Sequence, residues 1–553
     1  MSKPRDDDFY QLFNCKIPFL NGGLFDPINE YDWVHTDILF PNGIFSNSVK
    51  TKEGDTGTGI LDVFDRYNFT VKEDEPLEKD VAVDPEMLGK VFENLLDSKE
   101  RKSKGSFYTP REIVHYMCQE SLANYLTTEL SLKDFASVIP SEARNLKEDI
   151  ELLVRKGETI IENEYAVLEK ERAIKAGEIE STKIKTKMPE SIRENAKALD
   201  NALERIRVCD PAVGSGAFLV GMMNEIVKAR RALAPVFEKV SAGQKVQERV
   251  ELVYKLKRHA IQNCLYGVDI DPGAVEIAKL RLWLSLVVDE EEYKTIQPLP
   301  NLNYKIMQGN SLLEEYEGVK LFDERMIEPA YNLQEQRQQF LEKQNKLQKE
   351  YFDLHSTGKL SVEKKTKLES ELKTIDKSIK KIDKSAHSAT DANLELELDN
   401  LNLARKKMQL LKDKHKQFFE TYERDKKREL KKEIETIEWE LIEATLKEQN
   451  KTKALSKIQK SRKENIKPYF LWKLNFEEVF RENGGFDIVI ANPPYVDSEE
   501  MTRTMHGQRE DISRVYSTAK GNWDLYIPFW EQGFNLLSSK GNAVFILQIN
   551  GSQ

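Results

Sequence analysis

The stretch Ile206-Arg207-Val208-Cys209-Asp210-Pro211-Ala212-Val213-Gly214-Ser215-Gly216 runs from a short apolar strand, Ile206 to Cys209, through a turn of small residues into a helix predicted to reach Arg230. Outward from it the same alternation recurs. Cys264 to Val268 is predicted as a strand, Pro272 to Val288 as a helix, and Tyr304 to Met307 and Phe486 to Ala491 as strands. The helix Leu525 to Leu537 and the strand Asn542 to Ile549 follow. Short apolar strands alternating with helices imply a parallel sheet covered by helices, the α/β class.

The loop Asp210 to Gly216 stands where such a sheet binds a nucleotide-like cofactor, at the carboxyl end of a strand. Gly214 and Gly216 let the backbone pass close to a ligand, and Asp210 can accept from a ligand ammonium. A dinucleotide would want a third glycine where Leu219 stands, and an acid beside pyrophosphate repels it, so a sulfonium amino acid suits the loop better. In Tyr266-Gly267-Val268-Asp269-Ile270-Asp271, Asp269 ends the next strand and can take both hydroxyls of an adenosine ribose, with Ile270 beside it to pack on the adenine. Asp271 before Pro272 is expected to cap the following helix. In Gly309-Asn310-Ser311-Leu312, Asn310 is a candidate for the adenine edge, although the same residues also make ordinary turns.

Phe486-Asp487-Ile488-Val489-Ile490-Ala491-Asn492-Pro493-Pro494-Tyr495 is an apolar strand stopped by two prolines, with Asn492 at its mouth. Proline has no N–H and fixes an extended backbone, which turns carbonyls toward a ligand. An exocyclic amine such as adenine N6 is a poor nucleophile because its lone pair is delocalised into the ring. Two acceptors, the Asn492 side-chain oxygen and the Pro493 carbonyl, would pull that nitrogen toward tetrahedral geometry and aim its lone pair. Tyr495 offers a stacking face for a base swung out of a duplex.

In order, Gly105-Ser106-Phe107-Tyr108-Thr109-Pro110, the loop Asp210 to Gly216, Gly267 to Asp271, Gly309 to Leu312 and Asn492 to Tyr495 resemble the motifs of adenine-specific (N6) DNA methyltransferases. These are enzymes of restriction-modification and phage-exclusion systems, and the likeness is greatest to the large type IIG kind. Asn21-Gly22-Gly23-Leu24-Phe25 and a predicted helix at Pro85 to Leu96 resemble the same family's lead-in. The resemblance implies a Rossmann-like sheet, S-adenosyl-L-methionine as cofactor and double-stranded DNA as substrate. It also implies that Tyr108 and Thr109 close over the methionine end, and that Phe529 sandwiches the cofactor adenine opposite Ile270. Family members have seven strands. Two strands, a second base-stacking aromatic and a target-recognition domain are therefore expected to be missing, with recognition supplied by a separate specificity polypeptide or downstream gene product. No PD-(D/E)xK nuclease pattern stands out: Glu371-Leu372-Lys373 has the spacing but lies in a heptad region.

Composition sets limits on these readings. Across 553 residues the formal charge is -10, so any basic DNA-binding surface is local. Cys15, Cys118, Cys209 and Cys264 are scattered and none follows a proline, which disfavours zinc, disulfides and the thiolate chemistry of C5-cytosine methylation and points to a cytoplasmic protein. No apolar h-region follows Met1 to Asp6 and no run of 18 apolar residues occurs, so neither export nor a membrane span is expected. The expected domains are a lead-in over 1–100, a cofactor-binding part over 101–323, a helical coiled-coil insertion over 324–468 and a target-base part over 469–553. The Lys/Glu-rich segment 130–205 is expected to form helices bridging two parts of a domain, with solvated helix as the plainer reading. In the insertion, Leu368, Leu372, Ile375, Ile379, Ile382, then Leu394, Leu398, Leu401, then Leu430, Ile434, Ile437, Leu441 step by three and four, a heptad seam, with breaks at 355–358 and 385–392 favouring an antiparallel hairpin. Exocyclic N4 of cytosine, RNA bases and protein glutamine share the Asn-Pro-Pro-Tyr geometry. A catalytically incomplete fragment that keeps the cofactor fold and binds a partner through its helices is the alternative of another class.

Overall fold

The computed structural model describes residues 39–66 and 109–547 with interruptions, chiefly at 135–139, 179–185, 238–245, 288–301 and, apart from isolated positions, 321–423. Two-residue strands at Phe9–Tyr10, Cys15–Lys16, Asn68–Phe69 and Ala82–Val83 are also described. The predicted helix at Pro85 to Leu96, the Asn21-Gly22-Gly23 stretch and Tyr108 lie outside the described residues, as do the seam positions from Leu368 to Leu401 and both breaks.

Five parallel strands form the central sheet: β1 (Val208–Asp210), β2 (Leu265–Asp269), β3 (Ile306–Gln308), β4 (Phe486–Ala491) and β5 (Leu537–Phe545). Their order across the sheet is β5-β4-β1-β2-β3. The chain therefore builds outward from β1 to β3, then returns to the other flank of β1, where Ile488 pairs with Val208 and Val489 with Cys209. In open α/β sheets such a reversal marks the crevice, at the carboxyl ends of the two strands beside it, where ligands bind, and here those strands are β1 and β4.

All six residues of β4 are buried, and so are all three of β1. A continuous apolar run without alternation is what a strand covered on both faces requires. Asp210 at the end of β1 and Asp487 in β4 are the exceptions in composition, and the carboxylate of Asp487 is occupied: Oδ2 accepts the Arg207 N–H at 2.8 Å and Oδ1 accepts from Asn483 Nδ2 at 2.7 Å. The strand β5 starts at Leu537, five residues before the expected Asn542. Its first residues, Ser538-Ser539-Lys540-Gly541, are polar, and the register jumps from Phe486 opposite Leu537 to Ile488 opposite Asn542. An apolar pattern could begin only after that irregularity.

Four helices cover one side of the core: α1 (Arg111–Asp134), α2 (Pro140–Lys175), α3 (Ala196–Arg205) and α4 (Ala217–Phe237). The expectation of solvated helices over 130–205 is corrected here. Ile150, Leu153, Val154, Ile160 and Ile161 of α2 and Leu199, Ala202 and Leu203 of α3 all belong to the main buried cluster. Residues at three- and four-residue spacing make one apolar stripe even where Lys and Glu dominate the average. Between α3 and α4 the buried Arg230 Nε donates to Asp200 Oδ1 at 2.8 Å. Helix α5 (Pro272–Val287) starts as expected, with Asp271 Oδ1 accepting the Gly273 N–H at 2.8 Å.

The chain divides into two compact units, 1–313 with 464–553, and 314–463. In the second, helix α6 (Arg424–Glu448) buries Leu430, Ile434, Ile437 and Leu441, the last stretch of the predicted seam. In the first, the residues flanking the interruption are stitched together. Phe470 N donates to Leu313 O at 2.8 Å, Lys467 N to Gln308 Oε1 at 3.0 Å, and Trp472 Nε1 to Ser311 O at 3.0 Å.

Gly216 is the glycine on which the β1 turn depends. Its φ of +84° is left-handed, and a Cβ there would lie 2.9 Å from the Ala278 Cβ of α5. Gly216→Ala should therefore destabilise the protein by about 2 kcal/mol or more. Urea unfolding followed by tryptophan fluorescence measures this, and an unchanged midpoint would contradict the packing described.

Candidate active site

The turn after β1 brings a buried acid to the head of the crevice. Asp210 is 1% exposed; its Oδ1 accepts the Ala212 N–H at 3.0 Å, while Oδ2 is buried without a hydrogen-bond partner. Burial pushes its carboxyl well above the usual range, the Ala212 N–H opposes this, and the neighbouring Asp269 adds to the rise. A buried acceptor left open is costly to the protein alone and favours a cationic donor.

The rest of the turn is held from outside. The buried Arg281 of α5 donates from Nη1 to Ser215 O at 3.0 Å, and Ser311 Oγ donates to Pro211 O at 2.6 Å. Gly214, with φ +50°, has nothing within ordinary contact of where a Cβ would stand except Ala212 O at 4.0 Å. The two glycines thus serve different ends: Gly216 admits α5, and Gly214 leaves space open.

Asp269 is tied to the same turn. Its Oδ2 accepts the Gly214 N–H at 2.8 Å and its Oδ1 the Asp271 N–H at 2.9 Å. A carboxylate has about four lone-pair sites, so acceptor capacity remains. Beside it Ile270 is 45% exposed. Asn310 is buried and its Oδ1 accepts the Leu312 N–H at 3.1 Å, so one acceptor position of that oxygen serves its own turn. Phe529 lies on helix α7 (Tyr526–Leu536) in an apolar cluster with Leu312, Val496, Trp523 and, at its margin, Ala212 of the β1 turn.

At the neighbouring strand end, the Asn492 side chain is gripped at both sides. Its Nδ2 donates to Thr109 Oγ1 at 3.0 Å, and its Oδ1 accepts from the Tyr495 hydroxyl at 2.9 Å. The same hydroxyl stands 3.1 Å from Ile546 O. Burial, then the nearby Tyr526, raises the Tyr495 phenol, which stays protonated and a donor. The Tyr495 and Tyr526 rings are 6.0 Å apart between centroids and tilted by 54°. Pro493 is buried and Pro494 half-buried. Cys209, next to the turn, is wholly buried and its thiol is pushed well above its ordinary value, which keeps it unreactive.

A model of the Eco57I restriction-modification methylase family matches residues 263–550 of the 553. The chain belongs to that family. It is similar to the putative type II restriction enzyme and methyltransferase RM.MjaORFECS2P of Methanocaldococcus jannaschii, with 27% identity over 562 residues covering 96% of this chain and 38% of that protein. It is also similar to the type II restriction enzyme and methyltransferase RM.Eco57I of Escherichia coli, with 29% identity over 126 residues, 22% of this chain and 13% of that protein. The chain thus spans well under half the length of these relatives. No described helix is long and apolar enough to cross a membrane.

In this Eco57I-family chain, cavity size does not single out the candidate site. A cavity of about 20 Å³ lies between Thr109, Arg111, His115, Ala217, Asn224 and Arg281, beside the β1 turn. A larger one, about 450 Å³, opens at the amino ends of the strands among Arg205, Arg207, Glu482, Asp487 and Lys540. Its charges satisfy one another, Arg205 with Glu129, Arg207 with Glu482 at 3.7 Å and Asp487 with Asn483. Sequence reasoning missed Arg281, Ser311 and Tyr526. A lone arginine in the apolar run Leu280-Arg281-Leu282-Trp283-Leu284 was the available signal for the first.

Burial pushes the Asp269 carboxyl from 3.8 up to about 6, against the pull of the Asp271 and Gly214 N–H groups. Between those values the folded chain binds the proton that the unfolded chain has released, so this carboxyl's contribution to stability falls as pH rises from about 4 to about 6 and is level above. Asp269→Asn removes that slope. The stability of the variant minus that of the parent should climb by on the order of 2 kcal/mol across this window in urea titrations, and a flat or falling difference would contradict the assignment.

Proposed function

We propose that the chain is the catalytic part of a site-specific DNA methyltransferase of a restriction-modification system, transferring a methyl group from S-adenosyl-L-methionine to adenine N6. The observation that carries this reading is the adjacency of β1 and β4, which puts the turn Asp210 to Gly216 and the group Asn492 to Tyr495 at neighbouring strand ends.

The residues at the β1 end fit the cofactor. Asp210 has a buried oxygen without a donor, the space beside Gly214 is open, and Asp269 is rigidly held with acceptor capacity left. Asp210 would take the ammonium of the methionine part, Asp269 the ribose hydroxyls, and Ile270 and Phe529 the adenine, with Tyr108 and Thr109 near the methionine end. When bound, the cofactor supplies an electrophilic methyl group on a sulfonium. A cation near Asp210 also offsets the cost of its buried charge.

At the β4 end, Asn492 Oδ1 and the Pro493 carbonyl accept the two N6 protons of an extruded adenine, and Tyr495 supplies a stacking face. Two acceptors on one amine localise its lone pair and fix its direction, which is orientational and electrostatic catalysis. The base's Watson–Crick partner holds N6 inside a duplex, so extrusion precedes transfer. Sequence readout belongs to surfaces beyond these motifs, a further segment or a separate specificity polypeptide. The helical insertion over 324–468 is, on this reading, an accessory of the methyltransferase sheet over 101–323 and 469–553.

The test is transfer of labelled methyl from the cofactor to unmethylated duplex DNA by the full chain, alone and with the product of the adjoining reading frame. Digestion to nucleosides should place the label in N6-methyladenine. Label in N4-methylcytosine, or no incorporation under either condition, would overturn the proposal. Asn492→Ala should lower transfer at least about a hundredfold while leaving cofactor affinity within about twofold. A tenfold loss of cofactor affinity in that variant would show that Asn492 serves the cofactor instead.

A further inference from the structure

Thr109 and Asn492 are 383 positions apart, yet Thr109 Oγ1 accepts from Asn492 Nδ2 at 3.0 Å. Thr109 is buried and stands two residues before the start of helix α1 at Arg111. Asn492 follows the last residue of β4. An asparagine amide has two unlike ends and can turn over about its last torsion, so an acceptor held against the NH2 end decides which way the oxygen faces. With Nδ2 engaged by Thr109, the Asn492 oxygen is presented on the side of Tyr495, whose hydroxyl donates to it at 2.9 Å.

We propose that Thr109 is a positioning residue for the base grip: its hydroxyl fixes the orientation of the Asn492 amide so that Oδ1 is available to an incoming exocyclic amine. The inference rests on the methyltransferase reading and deepens it, because it gives Thr109 a duty toward the target base besides any contact with the cofactor. The Tyr495 hydroxyl fits the same scheme. It has one proton and two acceptors within reach, Asn492 Oδ1 at 2.9 Å and Ile546 O at 3.1 Å. When a base amine takes Oδ1, the hydroxyl can turn to Ile546 without leaving its proton unsatisfied. The segment carrying Thr109 lines the small cavity beside the β1 turn as well. One hydroxyl therefore joins the cofactor side of the crevice to the base side.

Thr109→Val keeps the shape and removes the acceptor, and Thr109→Ser restores it. With saturating cofactor, single-turnover methyl transfer should fall about tenfold to a hundredfold in the valine variant and return to within about threefold in the serine variant. Cofactor affinity by equilibrium dialysis should fall by much less than the rate in the valine variant. A loss of affinity that matches the loss of rate would make Thr109 a cofactor contact only and overturn the inference, as would an unchanged rate. A second readout needs no activity: a double-mutant cycle of Thr109→Val and Asn492→Ala on the melting temperature of the free full-length chain. The bond predicts that the second substitution shifts melting less once the first is made, and additive shifts refute it. Should the parent chain methylate no DNA base, the proposed function fails, while the cycle still decides whether Thr109 holds Asn492.

Discussion

The pairing of β1 with β4 is the constraint from which the site follows. These strands are three and six residues long, and the Arg207 N–H that enters the Asp487 carboxylate at 2.8 Å joins positions 280 apart. Closing so long a loop is less costly than its length suggests, because each doubling adds only about 0.6 kcal/mol. Burial of every residue in both strands easily outweighs that increment. Asp487 gives the pairing its register: a buried acid that must have donors accepts them only when Arg207 and Asn483 are in place. A one-residue slip would cost the carboxylate its Arg207 donor as well as misplacing the apolar side chains.

The same strand ends carry the energetic burden of function. Asp210 and Asp269 stand close together and burial raises both carboxyls, so the negative charge of each is disfavoured by the protein alone and favoured by a donor brought to it. Around them the scaffold is overdetermined. Arg281 fixes Ser215, Ser311 fixes Pro211, and Gly216 lets α5 approach to the limit of van der Waals contact. Strain and unmet polar demand persist at a site only when the surroundings hold them there. The division of labour between rigid supports and exposed demand is what distinguishes this turn from an ordinary loop of the same composition.

Much of the sheet was legible because its strands are continuously apolar and end in small or polar residues. Phe486 to Ala491 coincides with β4, and the helix starting at Pro272 is where the Asp271 cap puts it. The start of β5 was not legible, since Ser538 to Gly541 lack any apolar signal and are held by neighbours rather than by preference. Composition misled at 140–205, where an average over many Lys and Glu concealed the stripe that buries Ile150, Val154 and Ile161. Motif residues could be listed from the sequence, but partnerships could not. That Thr109 meets Asn492, or that Ser311 meets Pro211, depends on how distant segments are brought together.

The stitching beside the interruption has one more consequence. Leu313 and Phe470 are hydrogen-bonded neighbours, with Gln308 and Lys467, and Ser311 and Trp472, paired around them. Gly309 belongs to the same seam, for a Cβ there would stand 2.7 Å from the Phe470 ring. The sheet therefore experiences the long excursion as if it were a short turn. The closure between β3 and β4 is thus set by contacts inside the sheet's own unit, and the number of residues between Leu313 and Phe470 enters it only weakly.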